Sequence, residues 1–151
     1  MHMKKIISLV ALSLFASGYV NATESLISVE SQHSAKQTAD KFASIVEKKG
    51  LTLFARIDHQ KNAAGVDLPL RETEVIIFGN PNVGTPIMQC SQQAAIDFPQ
   101  KVLVWTDANK TTWLSYNNPE YIKERHNIKG CDKVLSKVAG VLSALTHAAA
   151  K

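Results

Sequence analysis

The sequence predicts an α+β domain: a mostly antiparallel sheet of about five strands with helices packed on one face, in the order β-α-β-β-α-β-β-α-α. Two long amphipathic segments indicate helices near the two ends of the domain. A four-residue turn joins two of the apolar strands, and connections this short are made by antiparallel neighbours. Two strands are apolar on both faces. The sheet face without helices is therefore expected either to pack on a second copy of the domain or to line a ligand cavity.

The first half of the domain is predicted from one strongly marked helix. Ser34 followed by Gln37 forms a capping box that begins this helix. Apolar residues then recur on one of its faces, and Gly50 after two lysines ends it. The elements around it are strands over 26–30, 51–57 and 73–78, with one helical turn near 60–64.

The second half is predicted from proline-containing helix starts and a hairpin. The segment 79–82 is predicted to be a turn, and Thr85-Pro86 to be the N-cap and first residue of a short helix. A further helical turn is expected over 92–98. The later elements are strands over 101–106 and 111–116 around a turn at 107–110, a helix from Pro119, and a last helix capped by Asp132.

The start of the chain has the pattern of a cleavable secretory signal peptide. Lys4 and Lys5 precede an apolar run over 6–16, and Ala22 is a small residue at the expected cleavage site. The run is shorter than the roughly 20 residues of a membrane-spanning helix, so no stable membrane insertion is expected. We therefore predict a signal peptide over 1–22, one domain over 23–151, and a periplasmic or secreted location.

Export changes what the charge and the cysteines imply. Cleavage removes two lysines and no acidic residue, so the net charge falls from +4 to +2 and nucleic acid is not expected as a partner. In an oxidising compartment, Cys90 and Cys131 form a disulfide candidate, the alternative being two separate thiols. The sequence has no complete metal-binding or cofactor-binding signature, and neither a metal nor a cofactor is expected.

Motifs in the middle of the chain resemble the family called domain of unknown function 302. The resemblance is carried by the segments 57–59, 70–81, 84–89, 98–105, 115–116 and 119–121 and extends from about Ser28 to His126. It implies an α+β fold similar to that of the TATA-box-binding protein, and a homodimer. It implies no DNA binding, because a fold does not fix a function. The two cysteines do not belong to the motifs that carry the resemblance.

The segment from Gly79 to Thr85 is the first candidate ligand site. Gly79, Asn80 and Gly84 lie between a strand and the N-terminus of a helix, where backbone amides favour an anion. Arg71, just before the same strand, would add positive charge. The alternative is a tight turn that requires glycine only for backbone reasons, since phosphate-loop and dinucleotide-binding spacings are missing.

Histidines supply the second set of candidate residues. His59 follows a strand beside Asp58, and His126 follows a helix. Adjacent residues of a strand point to opposite faces, so Asp58 and His59 do not form a dyad by adjacency, and Asp58 is a candidate helix cap. Structural roles are favoured for both histidines. Two histidines without a third ligand also make a poor metal site.

The sequence is compatible with three functions. A non-enzymatic homodimer that binds a small apolar or anionic ligand is favoured, because catalytic motifs are lacking. The alternatives are an enzyme that uses His59 or His126 as a general base, oriented by Asp58 or Glu74, and a structural or assembly protein of the cell envelope.

Overall fold

The computed structural model describes residues 23–151, which fold around one five-stranded antiparallel sheet. The strands are β1 (Leu26–Ser31), β2 (Thr52–Asp58), β3 (Thr73–Gly79), β4 (Gln100–Thr106) and β5 (Thr112–Asn117), in the spatial order β1-β5-β4-β3-β2. The helices are α1 (Ala35–Lys48), α2 (His59–Ala64), α3 (Pro81–Cys90), α4 (Pro119–Arg125) and α5 (Asp132–Ala150), with a 3-10 helix over Gln92–Asp97. The predicted fold class is confirmed. The predicted signal peptide lies outside the described residues.

One face of the sheet is buried under the long helices α1 and α5. Alternate residues of β3, β4 and β5 point into this core: Ile76, Phe78, Val102, Val104, Leu114 and Tyr116. Phe42 of α1 meets Phe78 edge-on, with ring centroids 5.2 Å apart. Burial beneath α5 raises the pKa of Tyr116 above its ordinary value.

The opposite face of the sheet carries apolar side chains that no long helix of residues 23–151 covers. Val75 pairs with Leu103, and Trp105 pairs with Trp113 across the β4–β5 ladder. Both indole N–H groups are bonded within the protein, Trp105 to Ser115 Oγ (2.9 Å) and Trp113 to Asp107 Oδ2 (3.0 Å). The rings therefore need no polar partner elsewhere.

Short sequence motifs predicted the caps of two helices and one helical turn correctly. The Ser34–Gln37 capping box forms as predicted, and Gly50 follows α1 with φ +70°. Asp58 caps α2 by accepting a hydrogen bond from the Lys61 amide. The predicted helical turn at 92–98 is the 3-10 helix.

The start of α3 differs from the prediction. The helix begins at Pro81 with Asn80 as its N-cap, so two of the four residues predicted as a turn are helical. Pro86, predicted as a first helical residue, lies inside α3. Asn80-Pro81 and Thr85-Pro86 are both good cap sequences. The first one acts, because the Asn80 side chain accepts a bond from the Asn82 amide (2.9 Å).

The last helix also starts slightly differently. Cys131 is the N-cap of α5, and Asp132 is its first residue rather than its cap. The Asp132 carboxylate instead pairs with Lys123 at 2.6 Å. Among residues 23–151, no helix is long and apolar enough to cross a bilayer.

Candidate functional site

A cavity of about 240 Å³ lies at the Gly79 end of β3. The N-terminal part of α3 forms one wall, the segment after the 3-10 helix forms another, and α5 contributes Val138. The lining residues are Phe54, Gly79, Asn80, Pro81, Val83, Gly84, Thr85, Met88, Phe98, Pro99, Gln100 and Val138. None of them carries a charge, and most are apolar, so the cavity suits a small apolar molecule.

Two glycines keep this cavity open. A Cβ atom on Gly79 would lie 3.6 Å from both the Phe54 ring and the Pro99 side chain, and one on Gly84 would lie 3.9 Å from the Phe98 ring. Among the described glycines, a positive φ occurs at Gly50 and Gly130, not at these two positions. Gly79 and Gly84 therefore leave space between packed side chains, and backbone conformation alone does not require them.

The backbone amides at the start of α3 are already bonded. Pro81 has no N–H group, and the Asn82 amide donates to Asn80 Oδ1. The Val83 and Gly84 amides donate to the Asn80 carbonyl oxygen at 2.9 and 3.0 Å. These groups would have to break existing bonds to hold an anion, so the geometry favours the apolar ligand over the anionic one.

The candidate residues from the sequence fall into separate places. Gly79, Asn80, Gly84 and Thr85 line the cavity together, as the sequence grouped them. Arg71 lies two residues beyond the other end of β3, a strand roughly 20 Å long at about 3.4 Å per residue, and its Nε donates to the Thr106 carbonyl oxygen. The structure therefore does not bring Arg71 to the Gly79–Thr85 segment.

The Thr73 end of β3 is polar and charged. Arg56 bonds Glu74 (2.5 Å) and Asp40 (2.8 Å), and Lys36 bonds Asp40 (2.7 Å). A second cavity of about 310 Å³ lies beside these groups and is also lined by Asp58. The hydrogen bond from Lys36, together with Arg56, lowers the pKa of Asp40 below its ordinary value. The hydrogen bond that Arg56 donates to Glu74 raises the pKa of Arg56 above its ordinary value.

The two candidate histidines lie at opposite ends of the sheet. His59 is exposed beside the Thr73 end, where β2 pairs with β3 through Asp58 and Glu74. The carboxylates proposed to orient it are engaged elsewhere, Asp58 as the α2 cap and Glu74 with Arg56. The two histidines therefore cannot share a ligand within one chain.

His126 instead has a carboxylate partner that sequence reasoning missed. Its Nε2 lies 2.5 Å from Asp97 Oδ2, and both side chains are almost buried, at 8% and 11% exposure. Arg125 approaches the other oxygen of Asp97 at 3.4 Å, and Ser91 donates to the His126 carbonyl oxygen. None of these residues lines the cavity. They fasten the 3-10 helix to the end of α4.

Cys90 and Cys131 connect two walls of the cavity. They are bonded to each other in the structure, with Cα atoms 6.4 Å apart. Cys90 ends α3, and Cys131 immediately precedes α5. Cys90 is exposed, whereas Cys131 is only 8% exposed.

Residues 27–145 match the family model described as "Domain of unknown function DUF302". The chain belongs to the DUF302 family. A crystal structure of an uncharacterized conserved DUF302 protein from Bacillus stearothermophilus is similar in fold, with a TM-score of 0.76 at 12% sequence identity, over 84% of this chain and 99% of that one.

Curated relatives of this DUF302 chain are named as channels. It is 38% identical over 103 residues to "Fluoride-specific ion channel FluC 1" of Brucella suis, which is 68% of this chain and 41% of that protein. The same identity is found with FluC 1 of Brucella abortus, of which 38% is covered. The chain thus spans about two fifths of these relatives.

Proposed function

We propose that this DUF302 protein is a non-enzymatic binding module that holds a small apolar molecule in the cavity at the Gly79 end of β3. The observation that carries the proposal is a cavity of about 240 Å³ with no charged residue in its lining. Pockets for drug-sized ligands usually enclose about 300–1,000 Å³. The expected ligand is therefore a small molecule of up to three rings or with a short hydrocarbon chain.

Binding of the neutral fluorophore N-phenyl-1-naphthylamine tests this proposal. Its emission rises in apolar surroundings, and we expect one saturable site. Gly84→Leu should remove binding, because the new side chain extends toward Phe98 and fills the cavity. Gly84→Ala is the matched control: it adds one methyl group, should retain binding, and should stabilise α3 by up to about 1 kcal/mol.

Two further controls separate the apolar ligand from the anionic one. Arg71→Gln should leave probe affinity unchanged, since Arg71 is at the far end of β3. Inorganic phosphate should not displace the probe, whereas decanoic acid should compete through its hydrocarbon chain. A probe that binds Gly84→Leu as well as the unmodified protein, or that phosphate displaces, would contradict the proposed site.

The protein is further proposed to act as a homodimer joined through the uncovered sheet face. This face carries Val75, Leu103 and the Trp105–Trp113 pair, whose indole N–H groups are already bonded. Light scattering after size exclusion should give twice the chain mass. Leu103→Asp should shift the mass to that of a monomer, whereas Ile96→Asp, at a 72% exposed position elsewhere, should not.

Two other roles follow from particular observations. The similarity to proteins named as fluoride channels supports an assembly role in the cell envelope, which fits the signal-peptide pattern and the proposed periplasmic or secreted location. Crosslinking in intact cells to a membrane protein, lost in Leu103→Asp, would support that role. The His126–Asp97 pair resembles an oriented general base, but the pair does not line the cavity, so we favour binding without catalysis.

A further inference from the structure

We propose that the bond between Cys90 and Cys131 controls the cavity, so that its reduction weakens ligand binding without unfolding the protein. The inference rests on the proposed binding function. Cys90 is the last residue of α3 and Cys131 directly precedes α5. These helices contribute facing walls of the cavity, Gly84 and Met88 from α3 and Val138 from α5.

The bond is close enough to the cavity to set the spacing of its walls. Gly84 precedes Cys90 by six residues, and Val138 follows Cys131 by seven. At 1.5 Å per helical residue, each wall residue lies roughly 10 Å from the bond along its own helix. A change in the α3–α5 junction is therefore transmitted over less than two turns of each helix.

We expect α3 to depend on the Cys90–Cys131 bond for its position, because it has fewer other stabilising features than the long helices α1 and α5. Gly84 and Pro86 both lie inside it, and these are the two residue types least favourable in helices. Pro86 also lacks the N–H group for a bond to the preceding turn. Ile87 is the one buried residue of α3, whereas α1 and α5 each bury several.

The rest of the fold has its own attachments. Ser91 and Asp97 hold the following segment to His126, so the connection between the 3-10 helix and α4 survives reduction. The sheet core under α1 and α5 is built mainly from residues of those helices and of the sheet, and α3 contributes one fully buried residue, Ile87. Reduction is thus expected to loosen α3 against α5 and leave the sheet intact.

The reaction is a thiol–disulfide exchange with a dithiol reductant. Cys90 is the exposed residue of the pair, so we expect the attacking thiolate to form a mixed disulfide with its sulfur and to release Cys131 as a thiolate. The second thiol of the reductant then displaces Cys90. The reductant becomes a cyclic disulfide, and the protein gains two electrons and two protons as two thiols.

Probe titration and amide hydrogen exchange together test the proposal. We expect dithiothreitol to weaken N-phenyl-1-naphthylamine binding about tenfold. This is the loss that results if about one tenth of the reduced protein molecules keep the conformation that binds the probe. A Cys90→Ser, Cys131→Ala double variant should bind the probe as weakly as the reduced protein does, whether or not dithiothreitol is present. Amides of Val83–Cys90 should exchange faster after reduction, and those of β4 and β5 at an unchanged rate.

The other outcomes separate this proposal from the proposed function. Equal probe affinity and equal α3 exchange before and after reduction would overturn redox control while leaving the binding function in place. Free thiols in the purified protein before any reductant is added, or faster exchange throughout β4 and β5, would also overturn it. An absence of probe binding to the oxidised protein would overturn the binding function, and redox control of binding with it.

Discussion

At the Gly79 end of β3 the chain surrounds an uncharged cavity, whereas at the Thr73 end the same strand enters a network of charged groups. Gly79 and Gly84 leave space at the first end, and Arg56 bridges two carboxylates at the second. Charged side chains in ion pairs are stabilised by contact with water, because burying a charge is costly. Apolar side chains that line a cavity are instead stabilised when a ligand replaces the water there. One strand of seven residues thus separates a region suited to binding apolar molecules from one suited to holding the edge of the sheet.

The largest loss of stability is expected from a substitution in the core beside the Gly79 end of β3. Phe78→Ala should lower the free energy of unfolding by about 3–5 kcal/mol, because it leaves a cavity against Phe42 in the core. Phe54→Ala is the matched control: Phe54 is 52% exposed, so its loss should reduce probe binding far more than stability. Urea denaturation measures both variants. Equal destabilisation by the two would contradict the separation of core from cavity lining.

A smaller effect is expected from the pair that fastens the 3-10 helix. Asp97→Ala should cost about 1–3 kcal/mol, because it leaves the nearly buried His126 ring without its partner. It should also weaken probe binding, since Phe98 and Gln100 follow this segment and line the cavity. The control Glu47→Ala removes an exposed carboxylate and should change neither quantity. Unchanged probe affinity in Asp97→Ala would show that the pair does not position the cavity wall.

The charged end should respond to salt, and the cavity should not. Arg56→Gln should lower stability by about 0.5–1 kcal/mol, because it removes partly exposed ion pairs to Asp40 and Glu74. Repeating the denaturation in 1 M NaCl should shrink this difference, since salt screens exposed charges. Probe affinity should be the same in both proteins at both salt concentrations. A fall in affinity would mean that the two ends of β3 are coupled.

The smallest effect is the acid dependence of Asp40. Lys36 and Arg56 hold its pKa below the ordinary value of 3.8, so folding favours the ionised form. The stabilisation is present above pH 3.8 and is lost as the pH falls through the lowered pKa of the folded protein. Asp40→Asn should therefore be slightly less stable than the unmodified protein at pH 7, and the difference should shrink as the pH falls below 3.8. A difference that stays constant below pH 3.8 would contradict this assignment.

Local sequence signals predicted those parts of the fold that neighbouring residues decide. Ser34 with Gln37 and Asp58 before α2 both act as caps, because a cap needs only residues two or three positions away. The prediction for the start of α3 was wrong because the sequence contains two possible N-cap and proline pairs, Asn80-Pro81 and Thr85-Pro86. Nothing local distinguishes Asn80 from Thr85 as the cap.

The candidate site was predicted only in part. Gly79, Asn80, Gly84 and Thr85 were grouped because they are close in sequence, and they do line one cavity. The sequence could not decide between the apolar and the anionic ligand, because our proposal of an apolar one depends on the Val83 and Gly84 amides being bonded to the Asn80 carbonyl oxygen and on side chains distant in sequence. Asp97 was missed as the partner of His126 because 29 residues separate them.

The sequence by itself determined the strands, the amphipathic helices, the family and the pair of cysteines available for bonding, since each depends on periodicity or composition along the chain. Tertiary structure alone decided that Phe54, Gly84, Phe98 and Val138 surround one space, and that Arg71 and His59 lie far from it. The physical reason is that a cavity and an ion network are set by which elements pack together. Sheet order β1-β5-β4-β3-β2 brings residues from four parts of the chain to one end of β3.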